Sequence, residues 1–326
     1  MRVRDRVVLF IWTKMPSYVA TVLIQCVRLF RKNLHSSESP STPARERESG
    51  EPRLRHPPRL KIYWWRPVFG GFTNFGDELG PLILERLFGF TYRWAPPEAC
   101  DIVVMGSVLE KVCAARREAP PIVWGAGFIG EGSAVSQRTV TAAAVRGRLS
   151  AKRFGMENTL VTGDPGLLCS ELLDRMPNKQ YQVGVVLHHT HKKVDVTSLF
   201  AGDIRRIRTI DVRMPPLQVI QEIAACETIL SSSLHGLVVA DSLGIPNQWI
   251  TFPQRLFGGA YKFHDYYSAV CCGTPQPHVV NHRRRFDYRT IAQIGEHYER
   301  PGLESIRNKL LSCFPKSLLE AQCMRS

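Results

Sequence analysis

The chain has 326 residues, of which 44% are hydrophobic and 22% charged, and its formal net charge is +14 at pH 7. This balance excludes a disordered or fibrous chain, and the length predicts two domains. The basic excess, which is concentrated in residues 1–59, favours anionic partners such as phosphorylated metabolites or acidic lipid surfaces, although charge can also serve solubility alone.

The nine cysteines form no CxxC pair and no Cys/His cluster with zinc spacing. Their odd number and the lack of an N-x-S/T sequon favour a reducing, cytoplasmic location. We therefore expect free thiols and no structural zinc.

The N-terminus carries an apolar stretch over residues 7–27, which Lys14 and Pro16 interrupt. A central Lys costs a spanning helix about 2.5–3.5 kcal/mol, so a transmembrane span is not expected. Helical spacing of apolar residues before Arg28 and Arg31 predicts, within residues 1–32, an amphipathic helix on the inner face of the cell membrane. A helix packed on the protein body explains the same pattern. Residues 33–58, rich in Ser and Pro, predict a disordered linker.

Short apolar runs alternate with helical patterns from Leu60 onward. Strands are predicted over residues 61–65, 101–105, 122–124, 182–187, 208–212 and 228–230, and helices over residues 81–88, 217–225 and 237–243. This alternation is typical of an α/β fold with doubly wound parallel sheets. We predict an N-terminal α/β domain over residues 59–175 and a C-terminal one over 176–326, with ligands at the carboxyl ends of the strands.

Two glycine-bearing turns follow predicted strands of the first domain. In residues 71–78, Asn74 and Asp77 precede a helix whose free N–H groups suit a ligand, although Asp77 can equally be an N-cap. Gly125 and Gly127 are further cleft candidates, and a tight turn without a ligand explains them as well.

Two arginines flank a glycine at Arg146 and Arg148, and Asp164 follows in a Gly-Asp-Pro-Gly turn. Guanidinium groups at a strand-to-helix turn can hold carboxylate or phosphate through forked hydrogen bonds, whereas surface arginines are usually only solvated.

The strongest signal is a strand that ends in three serines, the last of them Ser233, and runs into His235 at the start of a helix. An imidazole at that position suits acid/base catalysis or a phosphate contact, and the helix N-terminus favours its neutral form. His188 and His189 follow another strand and are expected to face the cleft. A metal site there is the less favoured reading, because no carboxylate or cysteine has matching spacing.

The motifs together resemble the polysaccharide pyruvyl transferase family, in particular its bacterial exopolysaccharide ketal-pyruvate branch. The resemblance covers about residues 60–315 and rests on an ordered set of segments at residues 74–77, 106–109, 124–127, 145–147, 163–168, 231–236, 244–246 and 261–267. It implies two Rossmann-like domains facing across a cleft, similar to the B-type glycosyltransferase architecture. It also implies phosphoenolpyruvate as a co-substrate rather than a bound cofactor, and a saccharide or lipid-linked oligosaccharide as acceptor.

The resemblance places the donor-binding Arg of the family on Arg146 and its motif His on His235. Many members carry Arg two residues before that His, where this chain has Ser233. The missing cation is expected from Arg148, Lys262 or Arg255. In this scheme His235 supplies the acid or a phosphate contact, and Asp77 positions or deprotonates the acceptor. No step requires a metal.

Two other classes of function remain open at this point. A nucleotide-sugar glycosyltransferase shares the predicted architecture, and fold alone does not separate the two. A non-catalytic basic protein on membranes or nucleic acid would show basic residues interleaved with aromatics along one face, and beyond Leu60 no such stripe occurs. No nucleic-acid partner is therefore expected.

Overall fold

The computed structural model describes residues 59–67, 74–202, 204–253, 258–270, 275–281, 285–315, 317 and 318. The helix expected within residues 1–32, the linker over 33–58 and the candidate Arg255 lie outside the described residues. Residues 60–314 form one compact unit that contains two parallel β-sheets.

The first sheet has six parallel strands in the order β2-β1-β3-β4-β5-β6. The strands are β1 (Leu60–Ile62), β2 (Tyr92–Trp94), β3 (Ile102–Val103), β4 (Ile122–Trp124), β5 (Thr141–Val145) and β6 (Val161–Thr162). The chain moves from β1 to one side for β2 and then to the other side for β3. In doubly wound sheets the carboxyl ends of the two strands at such a reversal flank the ligand site.

The second sheet has five parallel strands in the order β11-β10-β9-β7-β8. They are β7 (Tyr181–Val186), β8 (Ile207–Ile210), β9 (Cys226–Ser231), β10 (Asn247–Thr251) and β11 (His278–Val279). Here the order reverses between β7 and β9, which end next to His188 and the three serines. Both sheets therefore repeat one winding pattern, and the predicted α/β class with parallel sheets is confirmed. The placement of two domains across a cleft stays a prediction, as do the domain bounds.

Eight α-helices are found in the described ranges. They are α1 (Phe75–Phe88), α2 (Leu109–Ala114), α3 (Arg148–Arg153), α4 (Pro216–Ala224), α5 (Leu234–Ser242), α6 (Tyr261–Val270), α7 (Tyr288–Glu296) and α8 (Leu303–Ser312). The prediction that the first helix begins at Pro81 is wrong. It begins six residues earlier, at Phe75, with Asn74 as its cap, and Pro81 lies inside it. The helix ends as predicted, at Gly89, whose φ of 74° is the left-handed conformation that glycine adopts most easily.

Separate apolar clusters fill the space around each sheet. One contains Val103, Val123 and Val145 from the first sheet, and another contains Val183, Leu230 and Ile250 from the second. A third joins α5 and α6 through buried Leu237 and Phe263. Further along the chain, α8 returns to the first sheet, where its Leu310 carbonyl accepts the indole N–H of Trp124 at 3.0 Å. A helix late in the sequence, α8, therefore packs against a strand that lies early in the sequence, β4.

The described cysteines at positions 100, 113, 169, 226 and 313 are free thiols. In the same part of the chain, no helix is both long enough and apolar enough to cross a membrane.

Candidate functional site

The carboxyl ends of strands from both sheets bring most of the predicted site residues together. Gly76 on α1 contacts the ring of His235 on α5, and a Cβ at Gly76 would stand 2.0 Å from His235 Nδ1. His235 in turn faces Asp164, with 3.9 Å between Nε2 and Oδ2. On the second sheet, the His188 N–H donates to Ser232 Oγ at 2.9 Å. Segments that are far apart in sequence thus form one cluster.

Asn74 positions the start of α1, since its Oδ1 accepts the N–H of Gly76 at 3.1 Å. Asp77 is therefore not the N-cap, and its carboxylate lies on the first turn, free for another role. Burial raises the pKa of Asp77 from 3.8 to about 7, although the nearby Lys262 ammonium opposes this rise. A carboxyl with such a pKa can both give and accept a proton near neutral pH.

The raised pKa of Asp77 predicts a pH-dependent gain in stability for Asp77→Asn. Between pH 4 and pH 7 the folded chain holds the Asp77 proton more tightly than the unfolded chain does, so the contribution of Asp77 to stability falls as pH rises through this window. Asn does not ionise, so the variant does not show this fall in stability. We expect the stability of the variant relative to native protein to increase by about 1–2 kcal/mol from pH 5 to pH 8, allowing for solvent screening.

Urea unfolding at both pH values measures this change. Glu85→Gln is the matched control, because it removes an exposed carboxylate from the same helix. A variant-to-native difference for Asp77→Asn that does not grow from pH 5 to pH 8 contradicts the prediction.

His235 is nearly buried near the N-terminus of α5, and its ring packs edge-on against Phe75. Burial, followed by the charges of Lys262 and Arg146, lowers the pKa of His235 to about 3. The neutral ring expected from the sequence agrees with this direction, but its main cause is burial rather than the helix N-terminus. Neither His235 Nε2 nor the Asp164 Oδ2 that it faces has a hydrogen-bond partner among the described residues.

Asp164 is fully buried and caps the 3₁₀ segment Pro165–Leu172, with Oδ1 accepting the N–H of Gly166 at 2.9 Å. Burial raises its pKa to about 6. The other oxygen faces His235 across 3.9 Å, which is too long for a hydrogen bond. The described residues therefore leave two buried polar atoms without hydrogen-bond partners at the same point of the site.

Arg146 follows β5 and is fully enclosed. Its Nε and Nη2 both lie 2.9 Å from Asp265 Oδ2, and Nη1 donates to Ser107 Oγ at 2.7 Å. Nη2 also donates to the Phe128 carbonyl at 2.5 Å. A guanidinium held in this way has no open face, so the geometry favours a positioning role, and the predicted direct contact with the donor stays a prediction.

The two candidate glycines make room for neighbouring groups. A Cβ at Gly127 would stand 2.4 Å from Arg146 Cζ, and one at Gly125 would stand 2.0 Å from Pro165 Cδ. The structure thus gives both glycines a packing role, as the tight-turn alternative allowed.

Arg148 and Ser233 were also predicted to contact the donor. Arg148 begins α3 with an exposed side chain, and its N–H donates to Ser268 Oγ on α6 at 2.8 Å. Ser233 is buried at the start of α5, where its N–H donates to Ser231 Oγ at 3.0 Å. The predicted donor contacts of both residues stay predictions.

Lys262 on α6 is the cation that the site residues share. Burial, together with the charge of Arg146, lowers its pKa to about 8, while Asp77 acts in the opposite direction. The Lys262 ammonium also contributes to the lowered pKa of His188, His189 and His235. Asp265 already neutralises Arg146, and the predicted donor contact of Lys262 stays a prediction.

The three histidines after β7 lie in ring contact with one another, in tilted and edge-on arrangements. The rings of His188 and His189 are 4.1 Å apart, and His191 Nδ1 lies 3.0 Å from Ser232 Oγ. Burial, followed by the charge of Lys262, lowers the pKa of His188 to about 3. Within the described residues, no group of three or more His, Cys, Asp or Glu side chains is arranged to hold a metal ion.

Sequence reasoning missed Asp265, which pairs with Arg146 and also accepts the N–H and the hydroxyl of Ser150. The sequence did contain a signal for Asp265. This carboxylate follows Lys262 by about one helical turn, in a segment whose other residues are largely aromatic. Ser107, the partner of Arg146 Nη1, was likewise part of a recognised motif without an assigned role.

Comparison with known proteins agrees with the motifs. A family model described as polysaccharide pyruvyl transferase matches residues 29–252. The succinoglycan biosynthesis protein ExoV of Rhizobium meliloti is 26% identical over 211 residues, 64% of this chain and 64% of that protein. The uncharacterized protein L143 of Acanthamoeba polyphaga mimivirus is 30% identical over 115 residues, 34% of this chain and 40% of that protein.

The chain thus spans less than two thirds of the length of either of these relatives. No solved structure matches it. Since the family model extends over more than half of the chain, the chain belongs to the polysaccharide pyruvyl transferase family.

Proposed function

We propose that the protein transfers a pyruvyl unit from phosphoenolpyruvate to two hydroxyls of one sugar in an exopolysaccharide or lipid-linked precursor, forming a ketal. The observation that carries this proposal is a cluster at the carboxyl ends of parallel strands, in which His235 lies against Gly76 of α1 and faces Asp164. The partly buried Lys262 and Asp77 each influence the pKa of the other. Family membership supports pyruvyl transfer to a polysaccharide as the general reaction class.

Binding of the donor requires positive potential for a carboxylate and a phosphate. Lys262 offers one positive charge, and α5, which has no side-chain cap, offers the backbone N–H groups of its first turn. The positive ends of the helix dipoles of α1 and α5 add to this potential. The partly buried setting strengthens each of these interactions relative to water. The enclosed Arg146–Asp265 pair contributes by fixing α6, and therefore Lys262, in place.

Three proton transfers accompany the reaction. One acceptor hydroxyl adds to C2 of the enol while the methylene C3 gains a proton, and phosphate then leaves as the second hydroxyl closes the ketal. The ionised form of Asp77 accepts the proton of the attacking hydroxyl. The donor phosphate dianion raises the pKa of His235, which then donates the proton that C3 gains, and Asp164 orients its ring. The proton of the second hydroxyl leaves with phosphate.

Replacing Lys262 by methionine tests the donor site. Loss of a charge-assisted contact costs about 1.5–3 kcal/mol, so we expect phosphoenolpyruvate affinity to fall roughly 10- to 100-fold. Isothermal titration of the full-length chain measures the change. Lys152→Met, which alters an exposed lysine on α3, should keep native affinity.

A parallel titration with nucleotide sugars separates the two enzyme classes that share this architecture. Binding of phosphoenolpyruvate without binding of a nucleotide sugar supports pyruvyl transfer. Saturable binding of a nucleotide sugar that Lys262→Met abolishes, with no binding of phosphoenolpyruvate, would instead identify a glycosyltransferase.

A further inference from the structure

A pocket that the proposed chemistry does not use opens at the carboxyl ends of β7 and β8. Its volume is about 150 Å³. One part of the lining is apolar and consists of Leu187, Val194, Val196, Ile210 and Val212. The other part is polar and consists of His188, His189, Lys192, Thr209, Asp211 and Arg213.

This division of the lining matches the two-sided chemistry of a pyranose ring. The C–H groups of a sugar ring pack on apolar side chains, while its hydroxyls form hydrogen bonds with planar polar groups such as imidazole and carboxylate. Asp211 and Arg213 are already paired, with Arg213 Nε 2.9 Å from Asp211 Oδ1. The lining therefore presents donors and acceptors together, and Arg213 pairs with its one carboxylate.

The size of the pocket also restricts its ligand. Pockets for drug-sized ligands measure roughly 300–1,000 Å³, and this cavity of about 150 Å³ suits a smaller group such as one sugar ring.

The pocket adjoins the acid/base cluster through shared residues. His188 and His189 line the pocket, and the pKa of each is lowered in part by Lys262. The Val212 carbonyl, also at the pocket, accepts the N–H of Phe75 at 2.8 Å. Phe75 is the first residue of α1, two residues before Asp77. A sugar in the pocket would therefore lie next to the helix turn that carries the proposed base.

We propose that the pocket lined by Leu187, His188, Thr209 and Asp211 is a saccharide subsite that holds one neutral sugar ring of the acceptor. The inference rests on the proposed pyruvyl transfer for the reaction that follows, but binding of the sugar can be measured without any reaction.

Narrowing the pocket tests the inference. Thr209 is exposed on the edge strand β8, where an aromatic residue is well tolerated, and Thr209→Tyr places a ring in the cavity. The probes are the methyl glycosides of glucose, galactose and mannose at millimolar concentration, observed by saturation-transfer NMR with the full chain. We expect at least one of them to bind, and Thr209→Tyr to weaken that binding at least tenfold.

Two further variants make the result specific. Thr141→Tyr makes the same change at an exposed strand position of the first sheet and should bind the glycoside like native protein. Asp211→Asn removes the carboxylate at nearly constant side-chain volume and should weaken glycoside binding about tenfold. This variant still tests the inference if Thr209→Tyr does not fold.

Three results would overturn the inference. They are failure of native protein to bind any of the three glycosides, equal binding by the Thr209 and Thr141 variants, and displacement of the glycoside by phosphoenolpyruvate. A separate titration with phosphoenolpyruvate distinguishes the two proposals. If that donor does not bind while the glycosides behave as expected, the pyruvyl-transfer proposal fails and the saccharide subsite stands.

Discussion

Arg146→Ala is expected to lower the free energy of unfolding by about 3–5 kcal/mol, the usual cost of removing one partner of a buried ion pair. The variant leaves the Asp265 carboxylate fully buried without its guanidinium partner. It also frees the Phe128 carbonyl and the Ser107 hydroxyl from their hydrogen bonds. This outcome differs from the one that the sequence suggests, namely loss of donor binding with an intact fold.

Thermal and urea unfolding measure the effect. A loss of this size corresponds to a fall in melting temperature of about 6–20 °C for a unit of this length. Arg148→Ala is the matched control, since its exposed side chain lies two residues away and should change stability by no more than about 0.5 kcal/mol. If Arg146→Ala melts like native protein but no longer binds phosphoenolpyruvate, Arg146 is a direct donor contact and the positioning role is wrong.

His235→Ala is expected to reduce turnover by about 10²- to 10⁴-fold, the usual contribution of a general acid or base. The ring is nearly buried between Gly76 and Asp164, which holds it in one position within the cluster. Donor affinity should fall much less than turnover, because Lys262 and the helix N-termini carry most of the binding in the proposed site. Release of phosphate from phosphoenolpyruvate in the presence of acceptor measures turnover, and titration measures affinity.

His235→Asn separates proton transfer from hydrogen bonding. Asparagine keeps a donor group but does not titrate in the range of an imidazole. We expect it to be nearly as slow as His235→Ala, whereas near-native turnover with an unshifted pH profile would show that His235 only orients phosphate. His297→Ala changes an exposed histidine on the second half of the chain and should leave turnover within about twofold of native.

Much of the fold followed from local patterns. The strand over residues 122–124 was predicted with the bounds that it has, and the helix predicted from Leu217 begins at Pro216. Strands such as β5, with the sequence Thr-Ala-Ala-Ala-Val, were missed because small residues give no strong apolar signal. The start of α1 was misplaced because Pro81 was read as a first-turn residue, whereas the stronger local signal was the cap at Asn74.

The sequence alone determined the family, because its motifs can be read in order along the chain, and it predicted His235, Asp77 and Lys262 as residues of the candidate site. The environment of each group depended on tertiary structure. Burial in the packed fold, more than the local helix terminus, sets the neutral state of His235 and the near-neutral pKa of Asp77. The pairing of Arg146 with Asp265 joins residues 119 positions apart, and burial of both partners is a property that local sequence patterns do not encode.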